Sequence, residues 1–168
     1  FNTNYSDTFK IPEPFIQDYG SRIMSLQEPQ SKMSKSDTNQ NNYISLLDNS
    51  DIVMKKIKRA VTDSGSEIRF SEGNHGISNL ITIYSSLSGY DISKVEREFD
   101  GKTYSSFKES LADLIINLLL PIQNKYKNLI NDKNYLENIL RDNANEAYKI
   151  SRKTLSKVQR KIGFISRN

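Results

Sequence analysis

Hydrophobic positions after Asp48 recur every three or four residues, which is the spacing of helices that bury one face. Ser50 or Asp51 is predicted to cap the first helix, and Gly89 to end the second. Pro121 is expected to kink or end the fourth helix, and the apolar residues of the fifth are expected to face inward. Short connections between these helices predict a helical bundle. The apolar residues of the five stretches run from Val53 to Val61, Ile77 to Leu87, Ile92 to Phe99, Phe107 to Leu119 and Leu136 to Ile162.

The first 48 residues show a different pattern. Two short runs, residues 21–26 and 43–47, have the composition of strands, and the polar stretch between them predicts a loop. A strand, a long loop and a second strand cannot bury much core on their own. This segment is therefore interpreted as the edge of a larger α/β domain, with sheet edges that would be left unpaired. The predicted fold class is mainly α, an α/β edge followed by a helical bundle.

Composition excludes several classes of site. The chain has no cysteine, which excludes a disulfide framework, a thiolate metal site and a cysteine nucleophile. Its one histidine, His75, nearly excludes a histidine metal site or a Ser-His-Asp triad, so no metal ligands are predicted. No apolar run approaches the roughly 20 residues that cross a bilayer, and the sequence shows no secretory signal. A cytoplasmic protein is expected, and the net charge of +4 slightly favours a polyanionic partner.

The most informative segment is Lys32-Met33-Ser34-Lys35-Ser36, called the KMSKS segment below. Two ammonium groups three positions apart, with hydroxyl groups between them, can converge on an anion while backbone N–H groups add donors. In a polar loop after a strand, this arrangement suits a triphosphate. From spacing alone, a solvated lysine and serine loop is the more common outcome, and both interpretations stay open.

The KMSKS segment is identical to a signature of class I aminoacyl-tRNA synthetases, and the surrounding sequence resembles the tryptophanyl-tRNA synthetases over essentially the whole chain. Residues 60–64 and 76–80 separate it from the tyrosyl-tRNA synthetases, which remain the alternative within the class. Ser31 and Thr38 depart from the family, where many members have lysine and proline. The segments that carry the resemblance include residues 11–14, 21–26, 29, 32–37, 44–48, 55–64, 76–80, 83–85 and 87–89.

The resemblance implies a tryptophan–tRNA ligase. L-tryptophan attacks the α-phosphate of ATP, and the activated amino acid then passes to tRNA(Trp). Lys32 and Lys35 are the implied catalytic residues, because they would neutralise the departing pyrophosphate. Ile23 and Met24 would lie against adenine, mostly through main-chain contacts, and Mg²⁺ would be bound through the ATP phosphates. The implied ATP-binding residues are Ile23, Met24, Lys32, Met33, Ser34, Lys35 and Ser36.

The resemblance also implies a domain division. Residues 1–48 would be the C-terminal edge of a Rossmann-type nucleotide-binding domain, and residues 49–168 an α-helical anticodon-binding domain. The tryptophan pocket and the second ATP signature would belong to an absent N-terminal half of a homodimeric enzyme. His75 has the wrong neighbours for that signature and is interpreted as a loop residue. The fragment alone is expected neither to bind tryptophan nor to make adenylate.

Two basic clusters are candidates for tRNA contact. A solvated helix face explains the first equally well and is the more common explanation of the second. The runner-up function, from a different class, is a stand-alone helical RNA-binding module with a vestigial nucleotide loop. The first cluster is Lys55, Lys56, Lys58 and Arg59, and the second is Lys149, Lys153, Lys157 and Lys161.

Overall fold

The computed structural model describes residues 1–16, 20 and 22–164, and these residues form a mainly helical chain. Contacts divide the chain into a central unit, Ile16–Lys125, and a terminal unit made of Phe1–Phe15 and Tyr126–Asn168. In the described part of the chain, a 3₁₀ turn at Gln40–Asn42 precedes five α-helices. These are α1 (Ser50–Arg59), α2 (His75–Ser88), α3 (Ile92–Glu98), α4 (Tyr104–Asn131) and α5 (Lys133–Lys161).

The two runs predicted as strands do not form a sheet within the described residues. A single antiparallel bridge pairs Met24 with Lys32, and Ser21 lies outside the described part of the chain. Both runs lack a neighbouring strand over most of their length, which explains why the ladder does not extend. The predicted mainly α class is confirmed, and the division at residue 48 stays a prediction.

Local chemistry explains where the helices begin and end. Asn49 caps α1 by accepting a hydrogen bond from the Ile52 N–H, so the cap lies one residue before the predicted Ser50. Gly89 ends α2 with a φ of 72°, as predicted, because glycine adopts this left-handed conformation without strain. The loop interpretation of His75 is wrong, since this residue is the first of α2.

Pro121 lies inside α4 and does not end it, contrary to one of the two predicted outcomes. A proline removes the hydrogen bond that its N–H would donate to the carbonyl four residues earlier, here Asn117. Asn117 and Pro121 are both exposed, so water can satisfy that carbonyl. The helix therefore continues to Asn131.

The core of the central unit is built from the apolar faces of four helices. Tyr84, Phe99 and Phe107 form its aromatic centre, with ring centroids 4.8 to 5.8 Å apart. The helical spacing therefore predicted most core positions correctly. The most buried aliphatic residues of the helices are Val53, Ile57, Ile77, Leu80, Ile81, Val95 and Leu111.

The terminal unit buries much less. Helix α5 has no buried residue, and Leu140 is 69% exposed, so the prediction that its apolar residues face inward is wrong. The physical reason is that few elements of this unit are available to cover the helix. Lys161 ties its end to the N-terminal residues by donating to the Asp7 carbonyl, at 2.8 Å, and to Thr8 Oγ1, at 2.6 Å. No helix of the described residues is long and apolar enough to cross a membrane.

Lys108 of α4 is a buried lysine that bonds main-chain and hydroxyl oxygens. Its Nζ donates to the Ala60 carbonyl at 2.7 Å and to Thr62 Oγ1 at 3.2 Å. Burial lowers the pKa of Lys108, since desolvation penalises its charged form. Ala60 follows the last residue of α1, so the ammonium also lies at the negative end of that helix.

Replacing Lys108 by methionine should lower the free energy of unfolding by about 1–3 kcal/mol, because the buried Ala60 carbonyl loses its donor. Urea denaturation followed by circular dichroism measures this difference. Lys125→Met changes an exposed lysine on the same helix and is the matched control. Equal midpoints for the two variants would contradict the structural role of Lys108.

Tyr104 should make the stability depend on alkaline pH. Burial, and then the hydrogen bond from its hydroxyl to Asp63, raise the pKa of Tyr104 from 10.0 to about 12. The unfolded chain loses this proton first, so the contribution of Tyr104 is full below pH 10 and is lost as pH rises towards 12. The stability difference between wild type and Tyr104→Phe should shrink across this window. A constant difference would show that Tyr104 titrates normally.

Candidate nucleotide-binding loop

The KMSKS segment begins in a short hairpin. The Ser25 N–H donates to the Ser31 carbonyl at 2.8 Å, and the Met33 N–H donates to the Ile23 carbonyl at 3.0 Å. These two bonds lie on either side of the bridge between Met24 and Lys32. The position of Lys32 is therefore set by main-chain pairing.

The outer edge of this hairpin is closed by a side chain from α2. Asn79 Oδ1 accepts from the Met24 N–H at 2.9 Å, and Asn79 Nδ2 donates to the Met24 carbonyl at 2.8 Å. The expectation of unpaired sheet edges is therefore wrong at Met24. The N–H and C=O of Met24 are both bonded to Asn79, and the main-chain contact of Ile23 and Met24 with adenine stays a prediction.

The residues after Lys32 form an exposed polar turn. Ser34 Oγ and Ser36 Oγ lie 3.0 Å apart, and the Asp37 N–H donates to the Ser34 carbonyl at 3.2 Å. Lys32, Ser34, Lys35 and Ser36 are all exposed. The turn thus presents ammonium and hydroxyl groups together to solvent.

Asp37 and Asn42 hold the end of this turn. One carboxylate oxygen of Asp37 accepts from the Asn39 N–H at 2.9 Å, and the other accepts from Asn42 Nδ2 at 2.8 Å. The bond from Asn42, followed by that from Asn39, lowers the pKa of Asp37. Asn42 is 1% exposed, and its carbonyl accepts from the Leu26 N–H. Sequence reasoning missed both residues, although an aspartate two residues before an asparagine is a turn signal.

Neither lysine of the KMSKS segment is neutralised within the described part of the chain. The ion pairs found there are Lys56–Asp48, Lys58–Glu109, Arg69–Glu67 and Lys149–Glu146. The two ammonium groups of the turn are therefore available to an anion, and phosphate oxygens suit them chemically.

The predicted adenine-contacting residues face two different cavities. Ile23 and Met33 line an apolar cavity of about 230 Å³, together with Ile44. Met24 lines a separate groove of about 750 Å³, together with His75. Of the ATP-binding residues, the structure brings Ile23 and Met33 to one side of the hairpin and leaves Met24 on the other.

The four basic residues predicted for tRNA do not share one surface. Lys56 is 6% exposed, and its Nζ lies 2.6 Å from Asp48 Oδ2 and 3.0 Å from the Tyr43 carbonyl. Lys56 is therefore buried and paired, and it does not belong to the exposed basic cluster. Burial of a lysine requires such partners, and the sequence pattern cannot reveal them. Lys58 pairs with Glu109 at 3.0 Å but stays half exposed. The three remaining residues, Lys55, Lys58 and Arg59, line one shallow groove on α1.

Comparison with curated proteins finds relatives named tryptophan–tRNA ligase. A tryptophan–tRNA ligase from Clostridium tetani is 46% identical over 165 residues, which is 98% of this chain and 49% of the relative. A tryptophan–tRNA ligase from Halalkalibacterium halodurans is 48% identical over 165 residues, 98% of this chain and 50% of the relative. The chain thus spans about half the length of the curated relatives it matches.

The comparison with solved structures and the match to a family model agree with the names of these relatives. Tryptophanyl-tRNA synthetase from Mycoplasma pneumoniae matches 89% of this chain and 46% of its own, with a TM-score of 0.79 and 33% identity. The Campylobacter jejuni enzyme complexed with ADP and tryptophan matches 97% of this chain and 50% of its own, with a TM-score of 0.65 and 25% identity. The family model for class I tRNA synthetases (W and Y) matches residues 1–120. Since that match covers most of the chain, the chain belongs to the class I tRNA synthetase family of the tryptophan and tyrosine enzymes.

Proposed function

We propose that the chain is the C-terminal part of a tryptophan–tRNA ligase, which uses ATP to join L-tryptophan to tRNA(Trp). The observation that carries the proposal is the KMSKS turn. Hydrogen bonds hold both of its ends, while Lys32 and Lys35 are exposed and have no carboxylate partner among the described residues. The names of the relatives support tryptophan over tyrosine as the amino acid.

In the proposed reaction, a carboxylate oxygen of tryptophan attacks the α-phosphorus of ATP. The bond to the bridging oxygen breaks, and pyrophosphate leaves with the electron pair. Lys32 and Lys35 stabilise the charge that grows on this leaving group, and the hydroxyls of Ser34 and Ser36 donate to phosphate oxygens. Mg²⁺ would accompany the ATP phosphates as part of the substrate.

The adenine ring would contact the Ile23 and Met33 side of the hairpin, since both side chains line one apolar cavity there. An apolar wall of this kind suits a flat heterocycle. The side chain of Met24 lines the other groove, where His75 also lies, so the proposal assigns the apolar contact with adenine to Ile23 and Met33.

The complete activity belongs to a longer protein. The chain spans about half of its relatives, and neither a tryptophan pocket nor a second ATP signature has been identified in its sequence. A homodimeric enzyme in the cytoplasm, where ATP and tRNA are available, is part of the same proposal. Alone, this chain is expected to be inactive in adenylate formation.

Lys35→Ala in the full-length enzyme should lower tryptophan-dependent exchange of pyrophosphate into ATP by at least about a hundredfold, the scale of one lost transition-state donor. Steady-state exchange kinetics measure this effect. Lys125→Ala removes an exposed lysine outside the turn and serves as the control. Unchanged exchange in Lys35→Ala would exclude the catalytic role of this residue.

Replacing Lys55, Lys58 and Arg59 together by glutamine should weaken tRNA binding and leave pyrophosphate exchange intact, because these side chains are exposed and line a groove that includes no residue of the turn. The salt dependence of the binding constant should fall by about one unit of slope for each tRNA phosphate that the variant no longer neutralises. Filter binding at several salt concentrations measures both. If the variant keeps the wild-type affinity for tRNA and the wild-type salt dependence, the groove on α1 has no role in tRNA binding.

A further inference from the structure

Asn79 is a buried polar residue whose side chain bonds the backbone N–H and C=O of one distant residue. It is 5% exposed, and its carboxamide forms both of its hydrogen bonds with Met24, 55 residues earlier in the chain. A neighbouring strand would normally supply such a pair of bonds. Here one side chain of α2 replaces that strand.

The clamped residue lies between the two residues that hold the KMSKS turn. The Ile23 carbonyl accepts a hydrogen bond from the Met33 N–H, and the Ser25 N–H donates to the Ser31 carbonyl. The Met24 N–H shares a planar peptide group with the Ile23 carbonyl, and the Met24 carbonyl shares the next one with the Ser25 N–H. A rotation of either group would therefore tilt one of the two bonds that hold the turn. The orientation of Met24 therefore fixes the point from which Lys32 and Lys35 project.

Close packing of α2 fixes the position of Asn79. A side chain on Gly76 would come within 2.3 Å of the Val61 carbonyl, so the first turn of the helix packs directly on the backbone after α1. Leu80 and Ile81, the next residues along the helix, are buried in the core. A group on such an element can hold its partner to within fractions of an ångström, which catalysis by positioned charges requires.

From this geometry we propose that Asn79 is a positioning residue for the nucleotide reaction, acting through Met24 on the lysines of the KMSKS turn. The inference rests on the proposed function. It adds a residue of the helical part of the chain, with no predicted contact with ATP, to the determinants of adenylate formation.

The neighbouring Ser78 provides a matched control. Its hydroxyl donates to the Ser71 carbonyl at 2.8 Å and accepts from the Ser71 N–H at 3.0 Å. This is the same kind of two-bond contact, made by the adjacent residue of the same helix. Ser71 belongs to the segment before α2 and does not lead into the turn.

The test compares Asn79→Asp and Ser78→Ala in the full-length enzyme by pyrophosphate exchange. Aspartate keeps the size of asparagine and an acceptor for the Met24 N–H, but as a carboxylate it cannot donate to the Met24 carbonyl. We expect kcat to fall at least about tenfold in Asn79→Asp with the KM for tryptophan unchanged, as when a transition-state interaction is misplaced. Ser78→Ala should stay within about twofold of wild type.

Coupling to Lys35 separates positioning from general stability. In a Lys35→Ala background, Asn79→Asp should cause a smaller loss than in the wild-type background, because one of the two lysines on which it acts is gone. Hydrogen exchange at the amides of Ser25 and Met33 should speed up in Asn79→Asp and stay unchanged in Ser78→Ala. If Asn79→Asp fails to fold, Asn79→Ser, which cannot overfill the site, is measured in the same way.

Equal losses in the two backgrounds, or a kcat equal to that of Ser78→Ala, would overturn the role of Asn79. Absence of tryptophan-dependent exchange in the wild-type enzyme would instead contradict the proposed function. In that case, faster hydrogen exchange at the Ser25 and Met33 amides of Asn79→Asp would still show that Asn79 holds the hairpin in place. Hydrogen exchange at the wild-type rate would exclude this structural role as well.

Discussion

The hydrogen-bonding demand of one extended segment, residues 23–26, organises the central unit. Polar groups of the main chain that are buried must find partners, and among the described residues the bridge between Met24 and Lys32 is all the strand pairing that this segment has. Its partners come from the turn residues 31 and 33, from Asn42, from Val61 and from Asn79. The loop, the 3₁₀ turn, the end of α1 and the start of α2 are thus brought together by one short piece of backbone.

The packing of the helices keeps these partners in place. Gly76 allows α2 to approach the backbone at Val61, and Lys108 holds the neighbouring Ala60 carbonyl. The Val61 N–H donates to the Leu26 carbonyl, so the backbone after α1 also bonds the end of the extended segment. Buried polar groups therefore carry much of the geometry of the turn, while the aromatic and aliphatic core supplies the apolar burial that stabilises the unit.

The sequence was sufficient to predict the helices and the candidate loop. Helical spacing depends on neighbours within a few residues, so the stop at Gly89 was visible without a structure. The partners of Lys56, Asn79 and Lys108 could not be predicted in this way. Each lies between 8 and 55 residues away, and nothing in the local pattern distinguishes these side chains from solvated ones.

Helix α5 shows a second limit of such reasoning. Its apolar residues have the spacing of a buried face, yet the helix buries none of them. Periodicity shows which residues share a face, and the surrounding elements decide whether that face is covered.

The exposure of Lys32 and Lys35 also bears on the end of a catalytic cycle. Charges that stabilise departing pyrophosphate attract the same ion after it has left, and a buried site would retain it. In an open turn, water and dissolved salt compete for the ion and screen its attraction. In the proposed ligase, the solvent-facing turn would therefore shorten the residence of the by-product and clear the site for the next nucleotide.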